Sequence, residues 1–171
     1  EVIKLASNEN PLGPSPLSIE ALERGVSDLH RYPDASGYRL KKKISEKYSF
    51  QPDQIILGNG SDEVISMIVR TFTVPGDAIV TSKAAFIAYK ICATAQGARC
   101  IETPLTEDYR FDLNRMFDAV QKDDRAKVVF IANPNNPTGT IVDSNELPLF
   151  LNRLRDEIDR EVLVVLDSAY Y

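Results

Sequence analysis

The chain has 171 residues, with 20 Lys and Arg against 25 Asp and Glu and a net charge of −5 at pH 7. Because the balance is acidic and no basic block occurs, the composition argues against a nucleic-acid partner. A hydrophobic fraction of 43% and a charged fraction of 26% are typical of folded globular proteins and argue against a disordered chain or a membrane protein.

The ends of the sequence suggest a portion of a longer protein. It begins at Glu1 rather than with Met, and it stops at Tyr171 soon after the apolar run Val162–Leu166. We find no signal peptide and no apolar run of membrane-spanning length. The cysteines, Cys92 and Cys100, are interpreted as core residues and are too few for a disulfide scaffold, so we expect a cytoplasmic protein.

The first part of the chain is expected to hold an arm and two helices. The segment Leu5–Pro16 is rich in Asn and Pro and favours an extended arm. Apolar spacing predicts a helix over Ser18–Leu29, and a second one over Tyr38–Tyr48 follows a turn at Tyr32 to Asp34. His30 is the sole histidine, so a His-rich metal site is excluded and no metal is expected.

From Gln54 onward, short apolar strands alternate with helices. The predicted strands are Ile55–Leu57, Ala78–Thr81, Arg99–Thr103, Val128–Ala132 and Val162–Leu166. The predicted helices are Ser61–Phe72, Phe86–Gln96, Leu113–Gln121 and Asn145–Ile158. This alternation predicts an α/β fold of three αβα layers around a mainly parallel sheet. The last strand is entirely apolar, so we expect it to be buried on both faces.

Ligands of such sheets bind at the carboxyl ends of the strands, so the residues that follow each strand are candidates for a site. After the first predicted strand, Gly58-Asn59-Gly60-Ser61-Asp62-Glu63 leads directly into a helix. The two glycines allow a turn that points the amides of Ser61 and Asp62 at one place, which is the outline of a phosphate site. A tight turn in which Ser61 or Asp62 only caps the helix is the open alternative.

A second junction, Asn133-Pro134-Asn135-Asn136-Pro137-Thr138-Gly139, follows the strand Val128–Ala132. Two prolines and a glycine fix its backbone, which leaves three amide side chains available to a planar polar ligand. An ordinary rigid turn is the alternative here.

The third junction is Asp167, which is followed by Ser168-Ala169-Tyr170-Tyr171. A carboxylate at the mouth of a buried strand is costly to desolvate unless a cation or several donors meet it. We therefore expect a positive partner for Asp167, with a helix cap as the alternative.

These junctions, in this order, resemble those of fold-type I pyridoxal-phosphate aminotransferases, and Asn135–Gly139 is the most specific motif. Within that group, Asn8-Glu9-Asn10-Pro11, Arg31-Tyr32-Pro33 and the turn Gly58–Glu63 resemble the histidinol-phosphate aminotransferases. The resemblance runs from Leu5 to Tyr170. It implies an arm and first helix over residues 1–37, part of the large cofactor-binding domain over residues 38–171, and a C-terminal small domain that is absent from this chain.

The resemblance also implies that pyridoxal 5'-phosphate (PLP) is the cofactor. The amides of Ser61 and Asp62 would hold its phosphate. Phe86 occupies the position where the family usually has a Tyr that stacks on the pyridine ring, and it keeps the stacking surface without the hydroxyl. Asn136 and Tyr170 would hydrogen-bond the phenolic oxygen of the ring.

Further roles follow from the same resemblance. Asp167 would pair with the protonated ring nitrogen, which answers its need for a cation. Tyr32 matches a residue that reaches across a dimer to the cofactor phosphate, so a homodimer is expected. Asn8 and Asn10 match the arm that lines the substrate site. Ser168 replaces the Glu that is usual in the family, and the role of that Glu is lost.

The implied activity is transfer of an amino group between histidinol phosphate and 2-oxoglutarate in histidine biosynthesis. In the family, the lysine that forms the Schiff base with PLP lies beyond the Asp-x-Ala-Tyr segment, so the catalytic lysine is expected beyond Tyr171 and the 171 residues alone are expected to be inactive. Lys83, in Ser82-Lys83-Ala84-Ala85-Phe86, superficially resembles that lysine but precedes both Asn136 and Asp167.

Three alternatives remain open at this stage. The first two are other fold-type I PLP enzymes, an aromatic aminotransferase or a threonine-phosphate decarboxylase. The third is a non-catalytic α/β module that binds a phosphorylated ligand.

Overall fold

The computed structural model describes residues 7–171. They divide into two compact units, one that extends to residue 55 and one over residues 56–171, and each is described by itself. The family-based boundary at residue 37 stays a prediction. No helix within residues 7–171 has both the length and the apolar character needed to cross a membrane.

The first unit contains two helices joined by turns. Helix α1 spans Pro16–Gly25 and continues as a 3-10 turn over Val26–Asp28, and helix α2 spans Tyr38–Tyr48. Ser15 caps α1, because its Oγ accepts a hydrogen bond of 3.2 Å from the Ser18 amide. The cap explains why the first helix begins two residues before the predicted start.

The strand predicted over Ile55–Leu57 is absent, so that prediction was wrong. Ile55 has an extended backbone, with φ −111° and ψ 121°, but the segment pairs with no strand in the described part of the chain. Its burial does alternate, since Ile55 is buried and Ile56 is 72% exposed. A strand is defined by its hydrogen-bonded neighbour, and apolar composition alone does not supply one.

The second unit is a parallel sheet with helices between its strands. Its helices are α3 Gly60–Phe72, α4 Ile87–Ala95, α5 Leu113–Lys122 and α6 Glu146–Glu157. Its strands are β1 Ala78–Ser82, β2 Arg99–Thr103, β3 Ala126–Ala132 and β4 Leu163–Asp167. All neighbouring strands are parallel and lie in the order β2-β1-β3-β4. The predicted α/β class is therefore confirmed.

Successive residues of β1 and β3 pack into opposite layers, as the twofold period of a strand requires. Ile79 and Phe130 pack with residues of α3 and α4 on one face. Val80 and Ile131 pack with residues of α5 and α6 on the other. The continuous apolar runs of β1 and β3 are thus explained by two helical layers, and the three-layer αβα arrangement is confirmed.

Strand β4 lies at the edge of the described sheet, and the prediction that it is buried on both faces was wrong. Its residues Leu163–Val165 are only half-buried, and Leu166 is 45% exposed. Only β3 pairs with it in residues 7–171, so one strand edge and part of each face stay accessible.

The direction of strand addition reverses between β1 and β3. From β1 the chain passes through α4 to β2, whereas from β3 it passes through α6 to β4 on the opposite side. A reversal of this kind opens a crevice at the carboxyl ends of the two strands, where ligands of open α/β sheets bind. The fold therefore places a candidate site among the residues that follow β1 and β3.

Candidate functional site

A pocket of about 50 Å³ lies at the carboxyl ends of β3 and β4. Five of the residues predicted from the sequence line it: Ser61, Phe86, Asn136, Asp167 and Tyr170. Ala132, Pro134 and Ala169 complete the lining. This volume is well below the roughly 300–1,000 Å³ that is usual for ligand pockets.

The first turn of α3 presents free amides toward this region. Asn59 occupies the N-cap position but makes no side-chain cap hydrogen bond, and its own amide donates to Glu63 Oε2 at 2.5 Å. Ser61 and Asp62 are helical residues rather than caps. Amides in the first turn have no intrahelical acceptor and, with the helix dipole, favour an anion.

Gly58 and Gly60, at the beginning of α3, each have a structural reason to be glycine. A Cβ at Gly58 would lie 2.8 Å from Val64 Cγ2, so a larger residue would require either the Val64 side chain or the turn to move. Gly60 has φ +75°, a left-handed conformation that glycine adopts without strain. The sequence thus fixes the close approach of this turn to the start of α3.

The loop after β3 uses most of its amide groups internally. Asn133 Oδ1 accepts a hydrogen bond of 2.9 Å from the Val142 amide. Asn135 is 4% exposed, and its Nδ2 donates to the Ala84 carbonyl at 3.1 Å and to Thr138 Oγ1 at 2.7 Å. The expectation that all three amide side chains face a ligand was therefore wrong, since Asn136 is the one that lines the pocket.

Asp167 is held by two neutral donors. The Tyr89 hydroxyl donates to Asp167 Oδ2 at 2.7 Å, and the Ala169 amide donates to Oδ1 at 3.1 Å. No ion pair between residues of the described range includes Asp167. The carboxylate therefore has an oriented negative charge that a ligand cation can meet.

Tyr89 was missed in the sequence, although a signal for it was present. It follows Phe86 by three residues, a spacing that places two side chains on the same side of a helix. Burial raises the pKa of the Tyr89 phenol well above its usual range, and the adjacent Asp167 carboxylate raises it further. The phenol therefore stays protonated and acts as a donor.

The other predicted residues lie outside the pocket wall. The side chain of Asp62 is exposed and does not line the pocket, and the role predicted for Asp62 concerns its backbone amide. Lys83, which was not predicted to belong to the site, is also exposed and absent from the lining. Tyr32, Asn8 and Asn10 belong to the first unit. Their roles, like those of the pocket residues, stay predictions.

The arrangement defines the kind of ligand that it can hold. The amides at the start of α3 suit an anion, and Phe86 offers an aromatic face. Asn136 and Tyr170 provide hydrogen-bonding groups, and Asp167 provides a negative charge. This donor set fits a planar aromatic molecule that carries a phosphate and a protonated ring nitrogen.

Comparison with known proteins agrees with this description. The family profile described as aminotransferase class I and II matches residues 1–171. Histidinol-phosphate aminotransferase 2 of Nitrosospira multiformis is 46% identical over 169 residues, which cover 99% of this chain and 41% of that protein. The corresponding protein of Stutzerimonas stutzeri is 47% identical, with coverage of 99% and 44%. The chain thus spans less than half the length of these curated relatives.

Solved structures show the same architecture. The histidinol-phosphate aminotransferase of Sinorhizobium meliloti, in complex with pyridoxal-5'-phosphate, superposes with a TM-score of 0.88 at 29% identity, over 96% of this chain and 43% of that one. The histidinol-phosphate aminotransferase of Clostridium acetobutylicum gives a TM-score of 0.80 at 27% identity, over 96% and 46% of the two chains.

Proposed function

Because the chain belongs to the aminotransferase class I and II family, we propose that it is the cofactor-binding portion of a histidinol-phosphate aminotransferase. The whole protein transfers an amino group between histidinol phosphate and 2-oxoglutarate, as a cytoplasmic homodimer that serves histidine biosynthesis. The names of the curated relatives support this choice of substrate. The observation that carries the proposal is the convergence of Ser61, Phe86, Asn136, Asp167 and Tyr170 on one pocket.

We propose PLP as the cofactor, since its phosphate, aromatic ring and ring nitrogen match the donor set of the pocket. When bound, PLP supplies an electron sink for the negative charge that develops at the α carbon of the substrate. The amides of Ser61 and Asp62 bind the phosphate, and Phe86 packs against the ring. The absence of a cap hydrogen bond from the Asn59 side chain supports the phosphate role of the Ser61 and Asp62 amides.

The polar residues orient the cofactor and hold its protons. Asp167 keeps the ring nitrogen protonated, and its lack of a cationic partner in the described residues suits that role. Asn136 and Tyr170 donate to the phenolic oxygen. Asn8 and Asn10 contact the substrate, and Tyr32 reaches the phosphate of the other subunit.

The lysine that binds PLP covalently is proposed to lie outside these 171 residues. Lys83 is the residue of this chain that most resembles it, but Lys83 is exposed and does not line the pocket. Reduction of the PLP-loaded protein with borohydride, followed by peptide mapping, should label a lysine beyond Tyr171. A label at Lys83 would contradict this assignment.

The test of the substrate uses a protein that contains this chain and has the full length of its relatives. Histidinol phosphate, phenylalanine and threonine phosphate are compared as substrates in the presence of PLP and 2-oxoglutarate. We expect histidinol phosphate to be used with the highest kcat/KM. Preference for phenylalanine would indicate an aromatic aminotransferase. Release of carbon dioxide from threonine phosphate would indicate a decarboxylase. Failure to bind PLP would indicate a non-catalytic phosphate-binding module.

A further inference from the structure

Tyr89 connects α4 to the end of β4 through one hydrogen bond. Its side chain is fully buried, and its hydroxyl donates to Asp167 Oδ2 at 2.7 Å across 78 residues of sequence. A buried hydroxyl is costly to leave unpaired, so the hydroxyl of Tyr89 depends on the position of the Asp167 carboxylate, which is half-buried.

The ring of Tyr89 is held by aromatic contacts from two other segments. It stacks on Phe130 of β3, with ring centroids 4.6 Å apart and planes inclined by 13°. Phe86 contacts it edge to face, with centroids 5.9 Å apart. These contacts restrict the position of the ring and therefore of its hydroxyl. They also bring Tyr89 into contact with Phe86, which lines the pocket.

The two donors on Asp167 leave the carboxylate with capacity for a third. Two carboxylate oxygens offer about four acceptor positions, and Tyr89 and the Ala169 amide use two of them. Both donors are neutral, so they fix the direction of the carboxylate without cancelling its charge. Because Tyr89 keeps its proton, its hydroxyl can serve as a donor to the carboxylate.

We propose that Tyr89 is a positioning residue, which holds the Asp167 carboxylate in the orientation that receives the protonated ring nitrogen of PLP. The inference rests on the proposed function. It adds Tyr89, which does not line the pocket, to the residues that support cofactor binding. Tyr89 acts through Asp167 and makes no direct contact with the cofactor.

The test uses the full-length protein and the variant Tyr89→Phe, which removes only the hydroxyl. Thr81→Val is the matched control, because Thr81 Oγ1 is also a buried donor, 3.2 Å from the Phe130 carbonyl, and does not contact Asp167. The readouts are the affinity for PLP and the 15N chemical shift of the ring nitrogen in labelled PLP. The free energy of unfolding of each cofactor-free protein is measured in parallel.

We expect Tyr89→Phe to weaken PLP binding by about tenfold, the effect of one lost hydrogen bond to a charged group, and to move the 15N shift toward the value of neutral pyridine. Thr81→Val should lower stability without changing either readout. In an Asp167→Asn background the additional effect of Tyr89→Phe on PLP affinity should vanish, because the two residues act in series.

Several outcomes would overturn the proposal. If Tyr89→Phe changes stability alone, or acts equally in the Asp167→Asn background, Tyr89 has only a packing role. If Tyr89→Phe fails to fold, 3-fluorotyrosine in place of Tyr89 keeps the hydroxyl, and its 19F resonance must shift when PLP is added; an unchanged resonance rejects the role. A wild-type protein that does not bind PLP rejects the proposed function as well, whereas one that binds PLP but ignores histidinol phosphate rejects only the proposed substrate.

Discussion

Asn135 ties together the two loops that flank the crevice between β1 and β3, since its Nδ2 donates to the Ala84 carbonyl 51 residues away, at 3.1 Å. Ala84 belongs to the segment that leads to Phe86, and Asn135 is adjacent to Asn136. One buried amide therefore links the loop that carries Phe86 to the loop that carries Asn136.

Asn135→Ala should destabilise the protein by about 1–3 kcal/mol, because it leaves the Ala84 carbonyl and Thr138 without their shared donor. It should also weaken PLP binding, since the two loops are no longer joined. Urea denaturation and a PLP titration measure the two effects. Asn114→Ala is the control, because Asn114 is exposed and accepts from Arg153, so its loss should change stability by less than about 0.5 kcal/mol. Equal effects of the two variants would reject the role of Asn135.

Gly58→Ala should disturb the start of α3, because its Cβ would lie 2.8 Å from Val64 Cγ2. We expect a loss of about 1–3 kcal/mol in unfolding free energy, the range found for overpacking, together with weaker PLP binding. Adding Val64→Ala removes this shortest contact and leaves contacts of 3.3 Å with the Gly60 carbonyl oxygen and the Val64 amide nitrogen, so it should recover part of the PLP affinity lost in Gly58→Ala. If the double variant binds PLP no better than Gly58→Ala, the steric explanation is wrong. Gly25→Ala, with no atom within 4 Å of the new Cβ, serves as the control.

Asp167→Asn should lower kcat of the full-length enzyme by about 10²–10³, the effect of removing one preorganised electrostatic group. The amide keeps the shape of the side chain and can still accept from Tyr89, so the loss would report charge. Steady-state kinetics with histidinol phosphate measure it, and Asp159→Asn at an exposed site is the control. Retention of more than a tenth of the activity would argue against the proposed contact with the ring nitrogen.

Acid should remove one identifiable contribution to stability, that of Asp123. Two hydrogen bonds of 2.6 and 3.0 Å from Arg99 hold the pKa of the Asp123 carboxyl below its usual range, and the Arg125 amide acts in the same direction. Because the folded state lowers this pKa, the stabilisation is present above the ordinary pKa of about 3.9 and is lost as the pH falls through the lowered value.

The matching variant is Asp123→Asn. It should be less stable than the wild type by about 1 kcal/mol at pH 7, since Arg99 is half exposed and the pair is screened by solvent. The difference should shrink toward zero as the pH falls through the lowered pKa of Asp123. Urea denaturation across this pH range is the measurement, with Asp118→Asn at an exposed site as control. A difference that stays constant with pH would contradict the assignment.

Much of the fold was predictable because the spacing of apolar residues along the sequence follows the positions that are buried in each element. The buried segments Ala78–Val80 of β1 and Val128–Ala132 of β3 are apolar throughout, and the helices around them were predicted within a few residues of their ends. The prediction of a strand over Ile55–Leu57 was wrong because it rested on composition alone. Its apolar composition says nothing about whether another strand is available to pair with it.

The candidate site was predictable in part because strand ends converge in a parallel sheet. Ser61, Phe86, Asn136, Asp167 and Tyr170 do line one pocket. The supporting contacts of that pocket were not predictable. The partners of Asn135 and Tyr89 lie 51 and 78 residues away, and only the folded chain shows which side chains it brings within hydrogen-bonding distance.

The position of β4 at the edge of the described sheet bears on how the site is completed during synthesis. Strands β1, β2 and β3 precede β4 in the chain and already form a contiguous ladder without it. During synthesis, the Tyr89 hydroxyl lacks this acceptor until Asp167 has left the ribosome. Since β4 adds to an open edge, no earlier strand has to be displaced. Asp167, Ala169 and Tyr170 are therefore the last residues of this chain to join the pocket.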